Sequence, residues 1–192
     1  ELVSAKDRIV ARVEEKIGYP VFVKPANLGS SIGINRADDR GALLQALEVA
    51  AHYDRRLIVE RAVTDLMEVN CAVLGEGVHA QASLCERPVT WEKFLTFDEK
   101  YLRGGGASKG MKSLDRQIPA DIDETLRETI CELSLEAFAA LDLKGVVRFD
   151  FIYDKATAQL YINEANSIPG SFAYYLFDPM GVPFRELVDR LV

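Results

Sequence analysis

The sequence predicts an α+β chain in two lobes, and three observations carry that reading. Helical and strand periodicities alternate along 192 residues with no internal repeat. Residues 68–74 and 78–84, and again 146–153 and 159–164, are strand-like runs joined closely enough to form hairpins. Between the two hairpins lies a long segment, 91–117, rich in glycine and positive charge, of the kind that is usually either functional or disordered. The lobes are expected at 1–66 and 67–192, meeting near residues 62–67, with 91–117 as a lid loop on the larger one.

The elements follow in order. Ile9, Val13 and Ile17 recur at i+4 beside Val10, so residues 4–17 read as a helix that Gly18 and Pro20 stop. Val21-Phe22-Val23 is a short buried strand, and 25–33, with two glycines and two serines, is a loop. Leu43, Leu44 and Leu47 give a second helix over 38–51, and Leu57-Ile58-Val59 another strand. In 68–74, Val69, Cys71 and Val73 share one face, and Gly75-Glu76-Gly77 turns the chain back into 78–84. Asp121-x-x-Glu124 is a capping-box pattern opening a helix with Leu126, Ile130, Leu133, Phe138 and Leu141 inward. Residues 183–192 close the chain as a helix.

Composition removes several classes of function. The net charge of −7 argues against non-specific nucleic-acid binding, which needs a positive surface. No apolar run approaches the roughly 20 residues that span a membrane, and the first residues lack the charged-then-apolar pattern expected of a signal peptide. The three cysteines, Cys71, Cys85 and Cys131, are far apart and lack the short paired spacing of a zinc site. They read as reduced, buried thiols of a cytoplasmic protein.

Four clusters carry chemistry. In Arg148-Phe149-Asp150 the period of two puts Arg148 and Asp150 on one strand face and Phe149 on the other. With the second hairpin centred near Thr157, Asp150 stands opposite Glu164 and Arg148 opposite Asn166. Opposed carboxylates repel unless a cation lies between them, and an oxygen-only donor set suits Mg²⁺ shared with phosphates. A solvated, charged strand face is the alternative. The turn 166–170 could aim backbone N–H groups at a substrate oxygen. Lys24, ahead of the loop holding Gly29-Ser30-Ser31-x-Gly33, could hold phosphate, although no Walker order is present, and an ordinary strand-end lysine is the alternative. Glu60, in a strand that leaves one lobe for the other, and Glu68 could accept from an adenine amino group and ribose hydroxyls. They could equally be surface glutamates. Lys100-Tyr101 in the long loop could be a lid over phosphates, or part of a polar loop without that role.

Taken in order, these residues resemble the D-alanine–D-alanine ligases of the ATP-grasp superfamily. The likeness runs through Val21 to Gly33, Val59-Glu60, Glu68 to Gly75, Asp98-Glu99-Lys100-Tyr101, Pro119-Ala120-Asp121, Arg148-Phe149-Asp150 and Asn163 to Gly170. It implies an ATP-grasp fold whose two lobes hold a nucleotide cleft between them. It implies ATP-dependent joining of two D-alanines through an acyl phosphate, for peptidoglycan synthesis in the bacterial cytoplasm, with a homodimeric parent and no nucleic-acid or membrane partner. By the same likeness Lys24 and Lys100 contact ATP phosphates, Ser30 and Ser31 lie in the phosphate-covering loop, and Glu60, Val63 and Glu68 hold the nucleoside. Asp150, Glu164 and Asn166 hold two Mg²⁺ ions, for which Mn²⁺ can substitute. Arg148 and the Gly170 N–H stabilise the oxyanion, and Tyr101 lies near the substrates. The family commonly shows a Thr and then a Ser after Pro-Gly; here the stretch is Ser171-Phe172-Ala173-Tyr174-Tyr175. The resemblance also implies an N-terminal α/β domain that precedes the matched region, so the start at Glu1 without Met is expected to be a truncation.

Overall fold

The computed structural model describes residues 2–29, 31–89 and 115–192. Their contacts divide into one unit ending at Val63 and another beginning at Thr64.

In the first unit, helices α1 (Leu2–Lys16) and α2 (Arg40–Tyr53) accompany strands β1 (Val21–Pro25), β2 (Asn35–Ala37) and β3 (Leu57–Arg61). The strands form an antiparallel sheet in the order β2-β1-β3. Its core is Val10, Val13, Val21, Val23, Ala37, Leu43, Ala46 and Ala50. Two inward assignments shift. On α1 the buried pair is Val10 and Val13, spaced i+3, and Ile9 is 48% exposed. On α2 the buried stripe is Leu43, Ala46 and Ala50, with Leu44 and Leu47 only partly buried beside it. Small alanines let the helix approach the sheet where leucines would hold it off. The helix starts at Arg40 because the Asp39 side chain accepts from the Ala42 N–H at 2.8 Å.

The second unit holds β4 (Leu66–Glu76), β5 (Gln81–Val89), β6 (Asp115–Gln117), α3 (Glu124–Ala140), β7 (Lys144–Asp154), β8 (Gln159–Asn166), α4 (Tyr174–Phe177) and α5 (Phe184–Asp189). Its antiparallel sheet runs β6-β5-β4-β7-β8. One face carries Val69, Cys71, Val73, Phe149 and Phe151 and packs with Ile130 and Phe138 of α3. Ala72, Leu74 and Val146, on the other face, pack with Ala173, Leu176, Phe177 and Leu187.

The β4–β5 turn depends on glycine. Gly75 has φ +129°, and a Cβ there would lie 2.7 Å from the His79 carbonyl oxygen. A single 3-10 turn, Gly77–His79, delays β5 to Gln81. Asp123, not Asp121, caps α3: its side chain accepts from the Leu126 N–H at 2.9 Å. Leu141 is not inward; it is the C-cap residue and is 58% exposed. β6 removes 115–117 from the expected lid and pairs it with β5, and the rest of that segment, 91–114, lies outside the described residues. The closing helix is shorter than expected, and α4 occupies a stretch for which the sequence suggested no element.

Candidate active site

The β7–β8 hairpin places the strongest cluster. Arg148 pairs with Asn166 and Asp150 with Glu164, as the alternation predicts. The route to that register differs from a regular hairpin. Nearer the tip the pairs are Asp154 with Gln159 and Phe151 with Ile162, one residue away from a centre at Thr157. The register shifts between Asp150 and Phe151, with Asn163 as the extra residue on β8. Without that bulge Glu164 would turn to the opposite face, since a one-residue slip flips every side chain.

The bulge therefore assembles the donors. Arg148 Nε donates to Asp150 Oδ1 at 2.6 Å and its Nη2 to Oδ2 at 2.7 Å, a two-point ion pair with both side chains less than one-fifth exposed. Burial works against the Arg148 charge. The hydrogen bond and attraction from Asp150, with Tyr175 and Glu86 nearby, outweigh it and raise the pKa further. The Asn166 amide donates to Asp150 Oδ2 at 3.0 Å and Glu164 Oε1 at 3.3 Å. The repulsion expected between the two carboxylates is thus relieved by a guanidinium and an amide. Two carboxylates and an amide carbonyl on adjacent strands form an oxygen-only donor set that could hold Mg²⁺ or Mn²⁺.

The row extends further than the sequence suggests. Asp150 pairs with Asn70 on β4, and Asn70 with Glu86 on β5. Glu86 is 2% exposed. Its Oε1 accepts from Asn70 Nδ2 at 2.9 Å and from the Tyr175 hydroxyl at 3.1 Å, and its Oε2 faces Arg116 Nη1 at 3.4 Å. The Arg116 guanidinium also lies over the Tyr175 ring, 4.5 Å from its centroid. Burial and the Glu86 charge push the Tyr175 phenol up from its usual value. Sequence reasoning missed Asn70, Glu86 and Arg116. The one available signal was Asn70, a polar residue two positions from Glu68 inside an otherwise apolar strand.

Tyr175 reaches Glu86 through a left-handed turn. Ser171, Phe172 and Ala173 have φ of +54°, +51° and +50°, and the Phe172 N–H returns to the Pro169 carbonyl at 2.9 Å. Gly170, half-buried, opens that turn. Glu68 is exposed on β4 and pairs with Ile152.

In the first unit Lys24 and Glu60 form a 2.5 Å ion pair across β1 and β3, where Phe22 rather than Lys24 stands directly opposite Glu60. Ser31 is half-buried with φ +61° in the tight turn closed by Ile32 N–H to Gly29 O and Ile34 N–H to Ser31 O. Val63 follows β3 and is half-buried. Ser30, Lys100 and Tyr101 lie outside the described residues.

The helices and antiparallel sheets, with a row of oxygen donors beside a half-buried arginine, define an ATP-grasp chain of the kind seen in its solved structural neighbours. The chain belongs to the family described as D-ala D-ala ligase C-terminus, whose model matches residues 1–192. Among its relatives, the D-alanine–D-alanine ligase of Chloroherpeton thalassium is 41% identical over 188 residues, covering 96% of this chain and 49% of the relative. That of Heliobacterium modesticaldum is 39% identical over 193 residues, covering 98% and 50%. The crystal structure of VanG D-Ala:D-Ser ligase from Enterococcus faecalis superposes with a TM-score of 0.79 at 27% identity, over 97% of this chain and 52% of that one. The D-alanine–D-alanine ligase from Coxiella burnetii gives 0.72 at 25%, over 97% and 46%. The chain spans about half the length of the curated relatives it matches.

Proposed function

We propose that this chain supplies the nucleotide and metal chemistry of an ATP-dependent D-alanine–D-alanine ligase acting in peptidoglycan synthesis in the bacterial cytoplasm. The observation that carries the reading is the row Arg148, Asp150, Glu164 and Asn166, assembled by a bulge, in a chain of this family. Bound MgATP supplies the phosphoryl group that activates a carboxylate as an acyl phosphate. Asp150, Glu164 and the Asn166 carbonyl would hold the divalent ions, which would neutralise phosphate charge. The Arg148 guanidinium, kept cationic by Asp150, stabilises the negative oxygen that develops when the second amine attacks. The Gly170 N–H is assigned to the same oxygen. Lys24 neutralises phosphate and gives up part of its pairing with Glu60, which is freed to accept from the adenine amino group. Ser31 and Ser30 cover the phosphates, Glu68 and Val63 hold the nucleoside, Lys100 contacts the phosphates, and Tyr101 is assigned to the neighbourhood of the substrates.

A different acceptor is the second reading. Tyr175 stands where the family's serine is expected, between Glu86 and Arg116, and the VanG structural neighbour is a D-Ala:D-Ser ligase. A nucleotide-binding module without catalysis is a third, and the intact set of Lys24, Arg148, Asp150, Glu164 and Asn166 weighs against it.

Calorimetric titration of the chain with ATP tests the root of the proposal: binding is expected with Mg²⁺ and not without it, and no binding in either case overturns it. Joining the N-terminal half of a relative and measuring phosphate release with D-alanine, D-serine or D-lactate identifies the acceptor. Glu164→Gln should sharply lower turnover in that enzyme, and near-normal turnover removes Glu164 from the metal role.

A further inference from the structure

Cys71, Cys85 and Cys131 are remote in sequence, yet the fold brings their sulfurs within 4.8 Å of one another. We propose that these three thiols form a three-coordinate site for a soft, thiophilic centre, monovalent copper or trivalent arsenic.

Each ligand is fixed by a different element. Cys71 on β4 and Cys85 on β5 are directly opposed cross-strand partners. Cys131 comes from α3, which packs on that face of the sheet. All three are free thiols; Cys71 and Cys85 are buried and Cys131 is half-buried, so the helix side gives access. A metal–sulfur bond of about 2.3 Å needs three sulfurs about 4 Å apart in a trigonal arrangement. The cluster reaches that by closing less than about 1 Å, within side-chain rotation.

The donor chemistry selects the centre. Among the described residues, the group that brings together three His, Cys, Asp or Glu side chains within 4.8 Å contains only cysteines. A structural zinc site takes four protein ligands in a tetrahedron, whereas soft thiolates alone suit copper(I). Cys71 and Cys131 both direct their thiols at the Ser83 carbonyl, at 3.8 and 4.0 Å, so their sulfurs already converge.

No oxidation state changes on loading. Copper(I) forms S–Cu bonds and the displaced thiol protons go to water. Arsenous acid, As(OH)₃, forms three S–As bonds, its three hydroxyls take the three thiol protons, and three waters leave. The arsenic complex is neutral, which suits a buried site; the copper complex keeps negative charge that Arg127 offsets in part. A centre here ties β4 and β5 to α3, directly behind Asn70 and Glu86.

The test titrates the reduced 192-residue chain without oxygen, using copper(I) buffered by a chromophoric chelator in one arm and arsenite in the other. At least one probe should bind at one equivalent, with a first shell of three sulfurs by X-ray absorption. Cys131→Ser, checked for folding by circular dichroism, should abolish that stoichiometric binding. The site is overturned if neither probe binds one to one, if the wild-type shell contains fewer than three sulfurs, or if the folded Cys131→Ser chain binds as tightly as wild type. The absorption measurement needs no variant, so it decides even if the substitution disturbs the fold.

Discussion

Tyr175→Phe removes one hydroxyl from the Glu86 network and leaves the ring in place beneath Arg116. The Glu86 side chain is 3% exposed, so water cannot take over the lost bond. A hydrogen bond to a charged group is worth about 1.5–3 kcal/mol net. The hydroxyl bond at 3.1 Å is the longer of the two at Oε1, and Asn70 at 2.9 Å remains, so the lower end applies, about 1.5 kcal/mol. That is close to a tenfold change in an opening equilibrium. Native-state hydrogen exchange reads it in this unit alone: protection of the slow amides of β4 and β5 should fall about tenfold. The control is the same substitution in a Glu86→Gln background, where the partner is neutral and the loss should shrink to about 0.5–1 kcal/mol. Unchanged protection in Tyr175→Phe would refute the bond. An equal loss in both backgrounds would refute the claim that Tyr175 serves the Glu86 charge.

Asp123→Ala should destabilise α3 by about 1 kcal/mol, visible as lower exchange protection in its first turns, because the Leu126 N–H loses its acceptor. Ser171→Gly should raise stability by about 0.5–1 kcal/mol in a denaturation experiment, since an exposed side chain is lost and the left-handed φ of +54° becomes easy. Stability should also fall on the alkaline side. The folded Tyr175 pKa is raised, so above the ordinary value of about 10 the unfolded chain releases its proton first and the folded state binds more protons. The loss begins there and ends once pH passes the folded value, and Tyr175→Phe should flatten that limb relative to wild type. Asp150→Asn should weaken Mg²⁺-dependent ATP binding by about tenfold or more in calorimetry, the measure of roughly 1.4 kcal/mol for one lost charge at the metal.

Local patterns were legible in the sequence, and non-local ones were not. Period-two alternation placed Arg148 with Asp150 and against Phe149, and it found the apolar face of β4 at Val69, Cys71 and Val73. The Asp150–Glu164 pairing also followed, yet through an assumed centre at Thr157 that the tip of the hairpin does not obey. A one-residue slip at the turn and the one-residue bulge at Asn163 cancel, and nothing in the local composition announces a bulge. The capping position on α3 failed in a similar way: Asp121 and Asp123 are both capping residues, and the choice depends on where β6 and the Ile118–Pro119–Ala120 stretch deliver the chain. The Ala120 N–H bonds the Cys85 carbonyl at 2.8 Å, so β5 fixes where the helix can begin. Glu86, Arg116 and Tyr175 come from a strand, a short edge strand and a left-handed turn, and only the assembled sheet joins them.

One register generates both kinds of donor. Cys85 and Glu86 are consecutive on β5, as Asn70 and Cys71 are on β4, so each pair splits across the sheet. Asn70 and Glu86 fall on the face of Asp150, Glu164 and Arg148, while Cys71 and Cys85 fall on the face that packs α3. Oxygen donors are thereby kept beside charged partners, and sulfur donors in the apolar layer. The division matches the solvation each type needs: carboxylates are costly to bury without partners, and thiols are not. A slip of one residue in β5 would put Glu86 among Phe149 and Ile130 and Cys85 beside Asn70. Glu86 would then lose three partners in an apolar core, a cost that exceeds what two exchanged methyl-sized groups could return. The buried carboxylate therefore acts as the register lock of β5 against β4, and the opposition of Cys85 to Cys71 in the thiol cluster depends on it.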